Sequence, residues 1–274
     1  MTLFQALILG IVQGLTEFLP ISSSAHLVLV PFFLGWDKTI PADQIFPFGV
    51  LVQWGTLLAV IVYFWKDLWT ILKAWFTALL HRRPFESTDA RMGWYIILAT
   101  IPAGLFGLLI KDQVEAAFNS PVATGVFLLV TAALLTAAEV FGKGTRDLTG
   151  ITWLDALIMG LFQAAAIFPG ISRSGATITG GMLRGLDRAS AARFSFIMSI
   201  PIMLAAGLLS IGDLNEVAAL SSFLPALLTG LVAAAVFGFL SIKWLLNFLR
   251  TRRLIGFAVY CALLGIITII VSYV

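Results

Sequence analysis

Apolar residues run along the chain in stretches separated by short polar breaks: 2–19, 22–35, 44–65, 91–111, 121–141, 153–168, 175–186, 190–208, 222–246 and 254–273. Uninterrupted apolar stretches of about 20 residues predict membrane-spanning α-helices. Six of these stretches have that length. The other four are shorter and form two pairs, each joined by a polar break: Pro20-Ile-Ser-Ser-Ser24 in the first and Pro169-Gly-Ile-Ser-Arg-Ser-Gly175 in the second. Irregular backbone at membrane depth is tolerated only where protein buries it or it lines a cavity. Each pair therefore reads as a re-entrant helical hairpin that dips into the bilayer and returns.

The two hairpins are related. Residues 8–26 align without gaps on 158–176, an offset of 150, with Ile8/Ile158, Gly10/Gly160, Gln13/Gln163, Phe18/Phe168, Ile21/Ile171, Ser22/Ser172 and Ser24/Ser174 identical. Each half then holds one hairpin and three spans, repeat one over about 1–141 and repeat two over about 153–274, within a single membrane domain covering 1–274. An odd number of spans per half inverts the second repeat, and inverted repeats place their sites near the bilayer midplane. The expected fold is an all-α polytopic membrane protein built as an inverted repeat.

Composition agrees. The chain is 60% hydrophobic and 11% charged, with mean hydropathy +1.01, where a soluble domain carries about 25% charged residues. Fourteen of the 17 basic residues fall between 66 and 91, 142 and 152, 184 and 193, and 243 and 253. The positive-inside rule puts these four segments in the cytoplasm and both termini outside. The loops 36–43 and 111–120 hold one basic residue each, Lys38 and Lys111, and 209–221 holds none. With that distribution a net charge of +3 does not signal nucleic acid. Cys261 is the only cysteine, which excludes a disulfide within the chain. The N-terminus lacks the basic region and cleavage site of a removable signal peptide. Residues 66–83 alternate basic and aromatic positions, as in a helix lying at the cytoplasmic interface. Trp54, Trp65 and Trp94 read as interface anchors.

Candidate chemistry gathers at the two polar breaks. Gln13 and Glu17 are four apart, on one helical face, and an acid inside the membrane is costly unless partnered. Ser22, Ser23 and Ser24 open the next helix, and His26 follows one turn on. A serine beside an imidazole is a candidate nucleophile, and a histidine can attack phosphorus itself. Arg173 is the only basic residue this topology leaves inside the membrane, and guanidinium binds phosphate as a fork. It is flanked by Gly170, Ser172, Ser174, Gly175 and Thr177 at a second helix N-terminus, where anions bind. Each feature has a structural alternative: serines as simple caps, His26 as a packed polar residue, Glu17 and Arg173 as an ion pair. Glu139 and Asp155 read as structural. The case for function rests on convergence at the two tips.

The tips resemble those of the undecaprenyl pyrophosphate phosphatase family, also called bacitracin-resistance phosphatases. Gln13, Glu17 and the run Phe18 to Ser23, with His26, match its first signature, and Pro169 to Thr177 match its second in full. The resemblance implies hydrolysis of undecaprenyl pyrophosphate to undecaprenyl phosphate and phosphate, recycling the lipid carrier of cell-wall synthesis. It also implies a divalent cation, magnesium or calcium, and an inner-membrane site facing the extracytoplasmic side. Glu17, Ser23, His26 and Arg173 become the catalytic group, with Glu17 also the metal ligand. Gln13, Ser22, Ser24, Ser172, Ser174, Gly175 and Thr177 become the substrate-binding set. Partners would be the polyprenyl pyrophosphate and membrane lipids; the sequence leaves the oligomeric state open, a homodimer among the possibilities. Gln13 stands where many members have Glu, and Ala25 where Gly is common, so this chain has one carboxylate fewer. Between Ser23 and His26 as nucleophile the sequence does not choose. A transporter or flippase would share the broken helices. A phosphatidic-acid-type phosphatase needs a second active-site histidine, and none follows His81.

Overall fold

The structure is a computed structural model that describes residues 1–118, 120–211 and 220–273. The described residues form helices and no strand. In order these are α1 (Leu3–Glu17), α2 (Ser23–Leu34), α3 (Ala42–Leu51), α4 (Gln53–Tyr63), α5 (Trp65–Leu80), α6 (Thr88–Leu109), α7 (Lys111–Phe118), α8 (Pro121–Phe141), α9 (Trp153–Ala165), α10 (Arg173–Leu183), α11 (Arg188–Ser210), α12 (Leu220–Leu249) and α13 (Ile255–Val271). Among the described residues, five helical stretches are long and apolar enough to cross a membrane: Asp43–Tyr63, Thr88–Leu109, Pro121–Phe141, Arg188–Ser210 and Phe223–Leu249. The chain is an integral membrane protein. The sixth expected span is a helix, α13, but of only 17 residues.

The expected elements otherwise hold with local differences. The stretch 44–65 is two helices in succession, α3 and α4, with Pro47 inside the first and Val52 between them. The 111–120 segment, expected as a loop, contains the eight-residue α7, too short and polar to show an apolar period. Most of the expected loop 209–221 lies outside the described residues.

The short helix pairs begin and end alike. Thr2 caps α1 in a capping box with Gln5, and Thr152 caps α9 in a capping box with Asp155. These threonines are again 150 residues apart, so the likeness between the hairpins extends to their bases. α1 packs on α12 and α9 packs on α6. Both contacts bring backbones together: a Cβ on Gly10 would sit 2.3 Å from the Gly230 carbonyl oxygen, and one on Gly160 would sit 2.6 Å from that of Ala99. In lipid, where apolar surface gains little from leaving the solvent, such small-residue contacts are the main source of helix adhesion.

Outward faces are apolar. Leu105, Leu108, Leu109, Val232, Val236, Leu263, Ile266 and Ile270 are all exposed, more apolar surface than water tolerates on a monomer and suited to acyl chains. The tryptophans expected as interface anchors divide. Trp65 is exposed and stacks with Trp69 on α5. Trp94 instead packs edge-on against Trp75 and donates to the Pro84 carbonyl at 3.1 Å. Trp54 rests against Gly207, where a Cβ would meet its indole nitrogen at 1.8 Å.

The basic segments are partly neutralised. Asp155, fully buried, accepts from Arg146 at 2.7 Å, from Arg184 at 2.8 Å and from both the backbone and hydroxyl of Thr152. Its hydrogen bond to Arg146 pushes that guanidinium up from its usual value. Glu139 likewise accepts from Arg188 and from the backbone N–H of Leu254, tying α8 to the starts of α11 and α13. Asp155→Ala is expected to destabilise the fold near the lower end of about 3–5 kcal/mol, because it strands two partly exposed guanidinium groups and opens a cap. The unfolding temperature in detergent reads this out, with Asp155→Asn falling between wild type and alanine.

Candidate active site

Both tips are helix starts locked by serine caps. α1 ends at Glu17, and Pro20, which lacks an N–H, lies within the turn that follows. The chain re-enters helix at Ser23, with Ser22 as N-cap at φ +67°. A non-glycine residue there carries strain of order 1–3 kcal/mol. The Ser22 hydroxyl accepts from the Ala25 N–H of its own helix at 3.3 Å and from the Gly170 N–H of the other tip at 3.1 Å. The second tip repeats the design. Ser172 caps α10 by accepting from the Gly175 N–H at 3.0 Å, and Ser172 and Ser174 are 3.2 Å apart, as Ser22 and Ser24 are at 3.1 Å.

Gly170 sits at φ +108°, and a Cβ there would meet Phe127 Cβ and the Thr124 carbonyl oxygen at 2.5 Å. Only glycine allows that backbone conformation against α8. Thr131 of α8 donates to the Gly170 carbonyl at 2.7 Å and accepts from the Ser172 N–H at 2.9 Å. Ser174 donates across to the Leu19 carbonyl at 3.0 Å. The two tips are therefore bonded directly to each other, by groups 148 and 155 residues apart in the chain.

Ser23 and Arg173 are the first residues of α2 and α10, at matching positions of the two tips. Both reach the same carboxylate. Ser23 Oγ donates to Glu17 Oε2 at 2.5 Å, and Arg173 forms an ion pair with Glu17 Oε1. Gln13 Nε2 completes the shell at 2.7 Å from Oε2 and lies 3.5 Å from the Thr56 hydroxyl. Glu17 is 4% exposed and Arg173 is 21% exposed, while Ser23 is half-buried. Access to the group thus runs past the serine and the arginine, with the acid beneath them.

His26 is buried and turned elsewhere. Its Nδ1 is 2.7 Å from the Ser22 carbonyl and its Nε2 is 2.7 Å from the Tyr260 hydroxyl on α13. The structure thus gives Ser23 to Glu17, where the sequence had suggested His26. Thr177 bonds to Ser195 at 2.6 Å and to its own helix, so its hydroxyl holds α10 to α11. Tyr260, Thr131 and Thr56 escaped the sequence reading. The one signal available for the two threonines was a polar side chain inside an apolar span.

Among the described residues no three His, Cys, Asp or Glu side chains cluster as a metal site. The oxygens at the tip still suit a hard cation that takes part of its shell from phosphate. They are the Glu17 carboxylate, the Ser23 hydroxyl and Gln13 Oε1, a buried atom with no hydrogen-bond partner. An orphaned carbonyl oxygen beside a carboxylate is what such an ion would use.

A family model described as "Bacitracin resistance protein BacA" matches residues 6–267. The chain is 42% identical over 285 residues to an undecaprenyl-diphosphatase of Methanosphaera stadtmanae, covering 99% of each. It is 44% identical over 281 residues to one of Chlorobium phaeovibrioides, covering 98% of this chain and 97% of the other. With one of Chlorobaculum parvum it shares 45% identity over 278 residues, covering 98% and 97%.

Proposed function

The chain belongs to the bacitracin resistance protein BacA family, and from that premise we propose that it hydrolyses undecaprenyl pyrophosphate to undecaprenyl phosphate and inorganic phosphate. The observation that carries the chemistry is one carboxylate, Glu17, shared by a hydroxyl and a guanidinium from two different tips. Arg173 and the first-turn N–H groups of α2 and α10 hold the phosphate oxygens and offset the charge that builds in the transition state. Ser23 Oγ attacks the terminal phosphorus as Glu17 takes its proton, and the bridging P–O bond breaks with undecaprenyl phosphate as leaving group. Water then cleaves the phosphoserine, releasing phosphate and restoring the hydroxyl. The base for that water is His26, one turn beyond Ser23 on α2, whose Nε2 exchanges its bond to the Tyr260 hydroxyl for one to the water. Direct attack of His26 on phosphorus is the second reading, and the short Ser23–Glu17 bond favours the first. Gln13, Glu17 and Ser23 would hold a magnesium or calcium ion, which supplies charge neutralisation on the phosphate when bound.

The same reading treats α1–α2 and α9–α10 as re-entrant hairpins of two inverted repeats, with α13 the third span of the second half. It is supported by the exchanged packing of α1 on α12 and α9 on α6, by the matching caps, and by the pairing of α8 with α13 through Gly125 and Gly265. The basic segments then lie in the cytoplasm, and the site opens to the outer face of the inner membrane.

Purified protein in detergent is expected to release one phosphate per undecaprenyl pyrophosphate. A chelator should slow this by at least about tenfold, with magnesium or calcium restoring it. Binding without phosphate release would favour the transporter reading.

A further inference from the structure

We propose that Tyr260, on α13, is the positioning residue of His26, donating to Nε2 of the tautomer that the Ser22 carbonyl selects and holding the ring in place. The inference rests on the phosphatase reading for its consequence and on geometry alone for its substance. A carbonyl oxygen only accepts, so Nδ1, 2.7 Å from the Ser22 carbonyl, carries the ring hydrogen. A neutral imidazole has one N–H, so Nε2 is the acceptor, and the hydroxyl 2.7 Å from it, that of Tyr260, is the donor. The two rings lie parallel, 3° apart with centroids at 5.7 Å, which fixes the imidazole plane as well as its hydrogen.

The surroundings are built for this arrangement. The Ser22 carbonyl, on a residue at φ +67°, also accepts the backbone N–H of His26 at 3.3 Å, so its strained backbone serves both groups. Cys261, next to Tyr260, donates to the Pro20 carbonyl at 3.7 Å and seats α13 on the first tip. α13 packs along α8, whose Thr131 pins the second tip. One helix pair thus indexes both tips, and Tyr260 is its contact with the imidazole. When Nε2 gains a proton, the phenol oxygen accepts from it by rotation of the hydroxyl hydrogen, so both protonation states are satisfied without moving a heavy atom. A phenylalanine would keep the ring stack and lose this exchange.

The test combines Tyr260→Phe with nitrogen-15 NMR of histidine-labelled protein in detergent, where only His26 and His81 contribute. Wild type is expected to show His26 protonated at Nδ1 with a hydrogen-bonded Nε2, and the variant to shift the His26 Nε2 signal while leaving His81 unmoved. In the hydrolysis assay, kcat should fall about tenfold with KM unchanged, and the change should have no further effect in a His26→Ala background. A His26 protonated at Nε2 in the wild type would overturn the proposal, as would a Tyr260→Phe effect of equal size with and without His26. Wild-type protein that releases no phosphate would sink the phosphatase reading instead, and the NMR result would still decide the role of Tyr260.

Discussion

Replacing Arg173 with alanine is expected to slow phosphate release by roughly a thousandfold or more, the scale on which a phosphate-binding arginine contributes to phosphoryl transfer. Arg173 is the cation at the tips, and the carboxylate beside it repels a diphosphate unless that cation answers it. Arg173→Lys should recover little, since an ammonium is a point charge without the planar fork that matches two phosphate oxygens. The ion pair with Glu17 adds a stability component, because a lone carboxylate at 4% exposure is costly. Arg173→Ala should therefore also lower the unfolding temperature. Combining it with Glu17→Gln should restore the temperature without restoring activity, which separates the catalytic loss from the structural one.

Ser23→Ala is expected to lower the rate by about ten-thousandfold, as removal of a nucleophile does when the rest of the site remains. The fold should be indifferent to this change. The cap of α2 is Ser22, and Ser23 contributes only its bond to Glu17, so the unfolding temperature should stay near that of wild type. Substrate labelled in its terminal phosphate should leave an acid-stable label on Ser23 when turnover is quenched. An acid-labile label mapping to His26 would reverse the assignment of nucleophile.

Much of this site is legible in the sequence, for a physical reason. Pro20, Gly170 and the serine pairs at 22/24 and 172/174 are local breakers and caps, and their effect on backbone hydrogen bonding is short-range. The breaks between the paired helices follow from them directly, and the cost of leaving either charge unpartnered in a membrane called for a partner without fixing it as Glu17, a substrate or both; the structure pairs Arg173 with Glu17. The partner of Ser23 was not legible. Spacing of three residues put Ser23 and His26 on one face, but side chains at a helix start tilt back toward its N-terminus. That tilt sends Ser23 into the tip, toward Glu17, while His26 bonds back to the Ser22 carbonyl. Tyr260 was harder still. It lies 234 residues from His26 on a largely apolar helix, and only packing places it. The two threonine caps at the bases of α1 and α9 were in plain view but fell outside the aligned window.

The central claim is that two tips grip one phosphate, and the most direct measurement sets Ser23→Ala, Arg173→Ala and the double variant side by side in one phosphate-release assay. Residues that act on the same phosphorus are strongly non-additive, so the double variant is predicted to run no slower than the slower single one. Losses that multiply, as they would for residues working at separate sites, would contradict the account.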